Sequence, residues 1–210
     1  MAHTMQQKLT TEFIGTFFLS LTICTAAVYG SAGEYAPFGI AATLMVMIYA
    51  GGHISGAHYN PAVTVSIYLR GACEKDEVLP YIASQVIAAV SAALVVENLL
   101  FPDATSPVAA ELGNEAVVAE LLFTFALAYV ILNVATTEST SGNGYYGAAI
   151  ALVVLAGAIT VGSISLASFN PAVTSALIVS GKLALADSWM HFVSQFVGAV
   201  LATYAYKSTQ

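Results

Sequence analysis

Charged side chains are scarce in this sequence. Asp, Glu, Lys and Arg make up 8% of its 210 residues, whereas 58% are apolar. A soluble protein usually carries about 25% charged residues, so this composition excludes an ordinary soluble domain. The five basic residues form no cluster, which argues against nucleic acid as a partner.

The chain also has few groups suited to chemistry. Its two cysteines, Cys24 and Cys73, stand at no metal-ligand spacing and give no sign of a disulfide. The sequence contains no recognisable pairing of a nucleophile with a base and no phosphate-binding loop. We therefore expect neither an enzyme nor a bound metal or cofactor.

Long apolar segments, in contrast, are abundant. Six of them approach the roughly 20 residues that a helix needs to cross a bilayer: 9–31, 36–54, 78–100, 116–136, 145–166 and 188–206. Glu12 interrupts the first segment and further spans follow, so this segment is not a signal peptide. The predicted fold class is an all-α membrane protein with six transmembrane helices in the lipid bilayer.

The two halves of the sequence repeat each other. Asn60-Pro61-Ala62-Val63-Thr64 recurs as Asn170-Pro171-Ala172-Val173-Thr174, 110 positions later. Segments 12–17 and 120–125 correspond at an offset of 108, and 84–85 and 194–195 correspond at 110. We predict a first repeat over 1–106 and a second over 107–210, within one integral membrane domain. Three spans per repeat require the second copy to insert upside down, which gives an inverted 3+3 arrangement.

A short apolar segment follows each repeated tripeptide and is too short to cross a bilayer. Asparagine is a favoured N-cap, proline fits the first helical position, and Gly71 and Gly181 provide helix ends. We predict two re-entrant half-helices over 60–70 and 170–180. Irregular backbone is expected before them, over 51–59 and 162–168, and at membrane depth such backbone is tolerated where it lines a watery cavity.

Inverted insertion would bring Asn60 and Asn170 together near the bilayer midplane. Each helix N-terminus carries about half a positive charge, and two of them repel cations, including hydronium. An asparagine can cap its helix through oxygen and still present an amide N–H to a passing solute. The arrangement therefore favours a passive channel that admits water and small neutral solutes and excludes ions and protons.

These residues resemble the aquaporin, or major intrinsic protein, family. The segment 53–64, with its Asn60-Pro61-Ala62 tripeptide, is similar to the first pore loop of that family, and 12–17 resembles its first-span motif. The resemblance covers essentially all of residues 9–206. It implies an aquaporin-like fold and a homotetramer with one pore in each subunit.

The second loop departs from the family pattern. Most members carry an arginine after the second Asn-Pro-Ala, where this chain has Val173. The resemblance implies an outer constriction formed by Ile40, Ala158 (or Gly157), Ala167 and Val173. The Ala167 and Val173 pair is similar to that of plant vacuolar-membrane aquaporins. It implies a wider, less polar constriction that passes ammonia, urea or hydrogen peroxide with water. Whether glycerol also passes stays open.

Several polar residues within the apolar segments have two interpretations. Glu12 and Glu120 fit a proton relay, but the family resemblance favours carboxylates that accept hydrogen bonds from the pore loops and support the half-helices. His58, two residues before Asn60, either lines the pore or packs within the loop. No role is expected for His3 or His191.

The basic residues predict the orientation. With the N-terminus inside, Lys8, Arg70, Lys75 and Lys207 are cytoplasmic, and Lys182 faces out. Both termini are therefore expected in the cytoplasm, with the protein in a plasma or inner membrane.

Two other functions remain open from the sequence. Inverted repeats with broken helices also occur in secondary transporters, although no paired carboxylate–cation site is evident here. A non-conducting membrane tetramer with a structural role is the second alternative.

Overall fold

The computed structural model describes residues 3–210, which contain helices and no strand. Six helices have 19 to 21 residues: α1 (Met5–Ile23), α2 (Ala36–Ser55), α4 (Lys75–Val95), α5 (Glu115–Ala135), α6 (Tyr146–Ser165) and α8 (Trp189–Thr209). Two helices are shorter: α3 (Pro61–Arg70) and α7 (Pro171–Val179). π-helical turns over Cys24–Val28 and Val96–Leu100 lengthen α1 and α4. The all-α prediction is confirmed.

Five of the six long helices are long and apolar enough to cross a membrane. The sixth, α8, has the length, but it carries His191, Ser194 and Gln195. All three are buried inside the protein, and none of them is presented to lipid. A helix can span a bilayer with such residues when they face the bundle interior.

The helices pack in two corresponding sets. α1 packs on α4 as α5 packs on α8, and α2 contacts α6 between the sets. At Gly198 a Cβ atom would lie 2.5 Å from the carbonyl oxygen of Leu121, so α8 approaches the α5 backbone closely. Because the six crossings are even in number, the start of α1 and the end of α8 share one face, called here the terminal face. The opposite face is called the distal face.

The irregular segments before the half-helices are shorter than the sequence indicated. α2 continues through Gly51 to Ser55, and α6 continues through Gly162 to Ser165, so the irregular backbone spans only 56–59 and 166–169. The prediction that it begins at Gly51 and Gly162 is therefore wrong. A glycine costs a helix about 1 kcal/mol, less than an unpaired backbone group costs at membrane depth.

Candidate pore and its selectivity residues

Both short connections to the half-helices use left-handed backbone at corresponding positions. φ is +51° at Ala57 and +48° at Tyr59, and +49° at both Ala167 and Phe169. Such values are uncommon for residues with a Cβ atom and require stabilisation by the surroundings. The conformation turns successive backbone N–H groups toward one point in each half of the protein.

In the first half, that point is the buried carboxylate of Glu12. Its Oε1 accepts hydrogen bonds from the Ser55 hydroxyl (2.6 Å) and the His58 backbone N–H (2.9 Å). Its Oε2 accepts from the Tyr59 backbone N–H (2.7 Å) and from Nε2 of Gln85 (2.8 Å). Four donors satisfy the carboxylate and fix the connection between α2 and α3 on α1 and α4.

Glu120 repeats the arrangement in the second half. Oε1 accepts from the Ser165 hydroxyl (2.8 Å) and the Ser168 backbone N–H (3.0 Å). Oε2 accepts from the Phe169 backbone N–H (2.8 Å) and from Nε2 of Gln195 (2.7 Å). Both carboxylates thus use their oxygens to hold backbone, the arrangement expected of loop supports.

The asparagines cap the half-helices and also join them. Oδ1 of Asn60 accepts from the backbone N–H of Ala62 at 2.9 Å, and Asn170 caps α7 through Ala172 at the same distance. Nδ2 of Asn60 donates to the carbonyl of Phe169, and Nδ2 of Asn170 donates to that of Tyr59, both at 2.9 Å. Each amide keeps a second N–H that is not used in these bonds. Pro61 and Pro171 occupy the first helical positions.

A cavity of about 290 Å³ runs past this junction. Asn60 and Asn170 both line it. Toward the distal face the lining includes Val28 and Lys182, and toward the terminal face it includes Tyr146. Most of the remaining lining side chains are aliphatic, so the two asparagines bring polar groups into a largely apolar passage.

All four residues assigned to the outer constriction line this cavity: Ile40, Ala158, Ala167 and Val173. The alternative, Gly157, faces the aromatic packing instead, since a Cβ there would lie 2.4 Å from the ring of Phe169 and 2.8 Å from that of Phe123. None of the four side chains offers a hydrogen-bond donor or acceptor. This part of the cavity wall is therefore aliphatic and offers no side-chain hydrogen bond.

His58 lines the cavity on the terminal side of the asparagines. Its Nδ1 lies 3.2 Å from Oγ1 of Thr64, whose own hydroxyl donates to the Asn60 carbonyl at 3.1 Å. Since the Thr64 proton is used there, we assign the proton of the imidazole to Nδ1. Nε2 is then a hydrogen-bond acceptor.

His191, for which the sequence predicted no role, lies fully buried behind α7. Its Nδ1 is 3.3 Å from Oγ1 of Thr174, inside the network around Glu120. The sequence did not indicate this contact, because the polar surroundings of His191 come from α7. Its counterpart 110 positions earlier is Tyr81, which is also buried and donates to the Ser55 carbonyl at 2.9 Å. Extending the repeat alignment to this pair would have drawn attention to it.

Comparisons with known proteins agree with this architecture. The family model described as "Major intrinsic protein" matches residues 3–156 and 139–210. "Aquaporin NIP1-4" of rice is 35% identical over 98% of this chain and 78% of its own length. "Aquaporin Z" of Photorhabdus laumondii is 33% identical over 97% of both chains.

A solved structure shares the fold. The aquaglyceroporin of Plasmodium falciparum covers 97% of this chain with a TM-score of 0.76, at 22% sequence identity. This likeness, with the helices described above, supports the predicted architecture of six transmembrane helices plus two half-helices. The chain belongs to the major intrinsic protein family, and it is a passive membrane channel for water and small neutral solutes and not an enzyme.

Proposed function

We propose that the channel conducts water together with ammonia, urea and hydrogen peroxide, with glycerol as a further candidate. The observation that carries this proposal is that the residues assigned to the constriction line the cavity with aliphatic side chains: Ile40, Ala158, Ala167 and Val173. Without an arginine, the constriction lacks a fixed charge and several rigid donors, so it discriminates less between water and larger neutral solutes.

Exclusion of ions and protons is assigned to the asparagine pair. α3 and α7 point their positive N-terminal ends at the same stretch of the cavity. The free amide N–H groups of Asn60 and Asn170 orient the oxygen of a passing water toward themselves. A water so oriented cannot donate and accept along a continuous proton wire.

The wider assembly follows from the family resemblance and the charge pattern. We infer a homotetramer with one pore per subunit, in a plasma or inner membrane, with both termini in the cytoplasm. We infer also that residues 1–106 and 107–210 are the two inverted repeats. The matching hydrogen bonds of Glu12 and Glu120 support this division.

Reconstitution tests the proposed function. Proteoliposomes are exposed to sucrose and then to urea, and stopped-flow light scattering follows their volume. We expect fast shrinkage with low activation energy in sucrose, and reswelling in urea. Water flux equal to that of empty vesicles would overturn the proposed permeation path, and shrinkage without reswelling would overturn the proposed solute range.

The asparagine assignment needs a separate variant. Asn60→Asp and Asn170→Asp keep the capping oxygen and lose the amide donors, while each adds a negative charge. We expect proton leak, read from a pH-sensitive dye inside the vesicles, to rise in both. A transporter would instead show saturable, gradient-coupled uptake, and a structural tetramer would show no flux change in either variant.

A further inference from the structure

The two halves of the pore carry polar side chains at corresponding positions, but the histidine of each half lies at a different one. On the terminal side, His58 lines the cavity and Tyr81 lies behind it, with their rings 5.1 Å apart. At the positions 110 residues later, Ser168 lines the cavity and His191 lies behind α7. Thr174 links Ser168 and His191 on the distal side. Its Oγ1 is 2.8 Å from Oγ of Ser168 and 3.3 Å from Nδ1 of His191.

Because the histidine positions differ, the hydroxyl protons of Thr64 and Thr174 have different acceptors. On the terminal side, the Thr64 hydroxyl donates to the Asn60 carbonyl. On the distal side, the Ser168 hydroxyl has two acceptors within reach, the Asn170 carbonyl at 3.0 Å and Oγ1 of Thr174 at 2.8 Å. The Thr174 oxygen accepts from Nε2 of Gln195 at 3.0 Å. Its own proton has three acceptors within reach: Oγ of Ser168 at 2.8 Å, Nδ1 of His191 at 3.3 Å and Oε1 of Gln195 at 3.4 Å.

Nδ1 of His191, at 3.3 Å, is the nearest of the acceptors that leave Ser168 free. If the Thr174 proton is directed to His191, the Ser168 hydroxyl donates across the 2.8 Å contact to Thr174, and both lone pairs of the Ser168 oxygen remain available to the cavity. If it is directed to Ser168, one lone pair is lost. His191 is fully buried, its ring neighbours the Ser165 backbone, and Nε2 has no hydrogen-bond partner of standard geometry within residues 3–210. An imidazole with its proton on Nε2 fits these contacts.

We propose that Ser168 is a specificity-determining residue of the pore and that His191, acting through Thr174, is its positioning residue. Between the aliphatic constriction and the asparagines, the Ser168 hydroxyl is a hydrogen-bond acceptor for solutes that have just lost hydration. Urea presents more N–H donors than water presents O–H donors. The hydroxyl therefore favours urea relative to water.

Ratios of urea to water permeability in proteoliposomes test the proposal. We expect Ser168→Ala to lower this ratio about threefold to tenfold, the effect of losing one net hydrogen bond. Mere widening of the pore would raise the ratio instead. Ser175→Ala is the matched control, because the Ser175 hydroxyl lies on α7, the half-helix that follows Ser168, donates to the Pro171 carbonyl and does not line the cavity.

His191 variants test the positioning role. Tyrosine is the natural replacement, since Tyr81 shows that a phenol fits behind a half-helix. His191→Tyr should lower the ratio about twofold to threefold, because one Ser168 lone pair is lost. His191→Asn restores an acceptor near the Nδ1 position and should return the ratio to that of the wild type, and Ser168→Ala combined with His191→Tyr should match Ser168→Ala alone.

An unchanged or raised ratio in Ser168→Ala, or loss of its water permeability, would overturn the proposal for Ser168. An additive double variant, or no rescue by His191→Asn, would overturn the positioning role. The proposal rests on urea conduction in the proposed function. A wild-type channel that passes water but no urea would refute both the proposed urea conduction and the proposal for Ser168. Urea flux with the same urea-to-water ratio in the wild type and the variants would refute the proposal for Ser168 alone.

Discussion

At the scale of the residue, position 173 has the largest expected influence on selectivity. Val173 is 1% exposed overall, yet it lines the cavity at the first turn of α7. The backbone N–H of this residue points to Oδ1 of Asn170 at 3.5 Å, so the side chain is anchored next to the asparagine pair. A single substitution here changes the wall without altering the cap.

Restoring an arginine should convert the channel toward water selectivity. We expect Val173→Arg to lower urea permeability by at least about tenfold, because a guanidinium narrows the passage and holds its donors in a rigid fork. Water permeability should fall less. Val173→Met adds length without charge. Comparing it with Val173→Arg separates the effect of charge on urea permeability from the effect of size. Urea flux that is unchanged in Val173→Arg would show that this position lies outside the limiting part of the pore.

The two cysteines, Cys24 and Cys73, lie away from the pore. Neither Cys24 nor Cys73 lines the cavity, and Cys24 is fully buried. Burial, assisted by the negative charge of Glu77, raises the pKa of the Cys73 thiol to about 12, so the reactive thiolate is scarce near neutral pH.

Mercuric chloride should therefore leave water permeability unchanged, whereas Ala167→Cys should make the channel sensitive. Stopped-flow shrinkage measures both, with reversal by thiol reagent as the control. Block of the wild type that persists after Cys24→Ser and Cys73→Ser would place the reactive group elsewhere.

At the scale of the element, one carboxylate in each half accepts hydrogen bonds from the connection that leads into the half-helix. Glu120→Gln keeps one oxygen and places an NH2 group against a backbone N–H, so a buried donor is left without an acceptor. We expect a loss of about 1–3 kcal/mol in stability and a large fall in water flux. Glu12→Gln should lower stability in the same way, because the four contacts of Glu12 correspond to those of Glu120. Glu115→Gln, at an exposed position, should leave stability unchanged. Thermal unfolding in detergent measures the change, and a neutral Glu120→Gln would contradict the assigned support.

The elements also show what could be read from the sequence and what could not. The starts of the half-helices were predictable because Asn-Pro capping acts locally, and α3 and α7 begin directly after Asn60 and Asn170. The continuation of α2 through Gly51 was missed, because hydrogen bonding in an apolar environment outweighs glycine propensity. The contacts of His191 depend on how α7 packs against α8, which residue patterns within one helix do not encode.

At the scale of the whole molecule, the terminal face is held together by basic side chains. Lys8 pairs with Glu77 across α1 and α4. The guanidinium of Arg70 donates to the hydroxyl and the carbonyl of Thr136, both at 2.9 Å, and lies 5.4 Å from the ring centre of Tyr206. These contacts gather the ends of α3, α5 and α8 at the face that the charge pattern assigns to the cytoplasm.

Cysteine accessibility tests that orientation. In a Cys24→Ser, Cys73→Ser background, Val108→Cys lies in the loop between α4 and α5 on the distal face, where Val108 is 82% exposed. A membrane-impermeant maleimide applied to intact cells should label it. Ser208→Cys, at the exposed end of α8, should react only after lysis, because positive residues favour retention of the terminal face inside. Water flux measured for each variant establishes that the channel is assembled. Labelling of Ser208→Cys in intact cells, with Val108→Cys protected, would reverse the topology and place the constriction of Val173 on the cytoplasmic side.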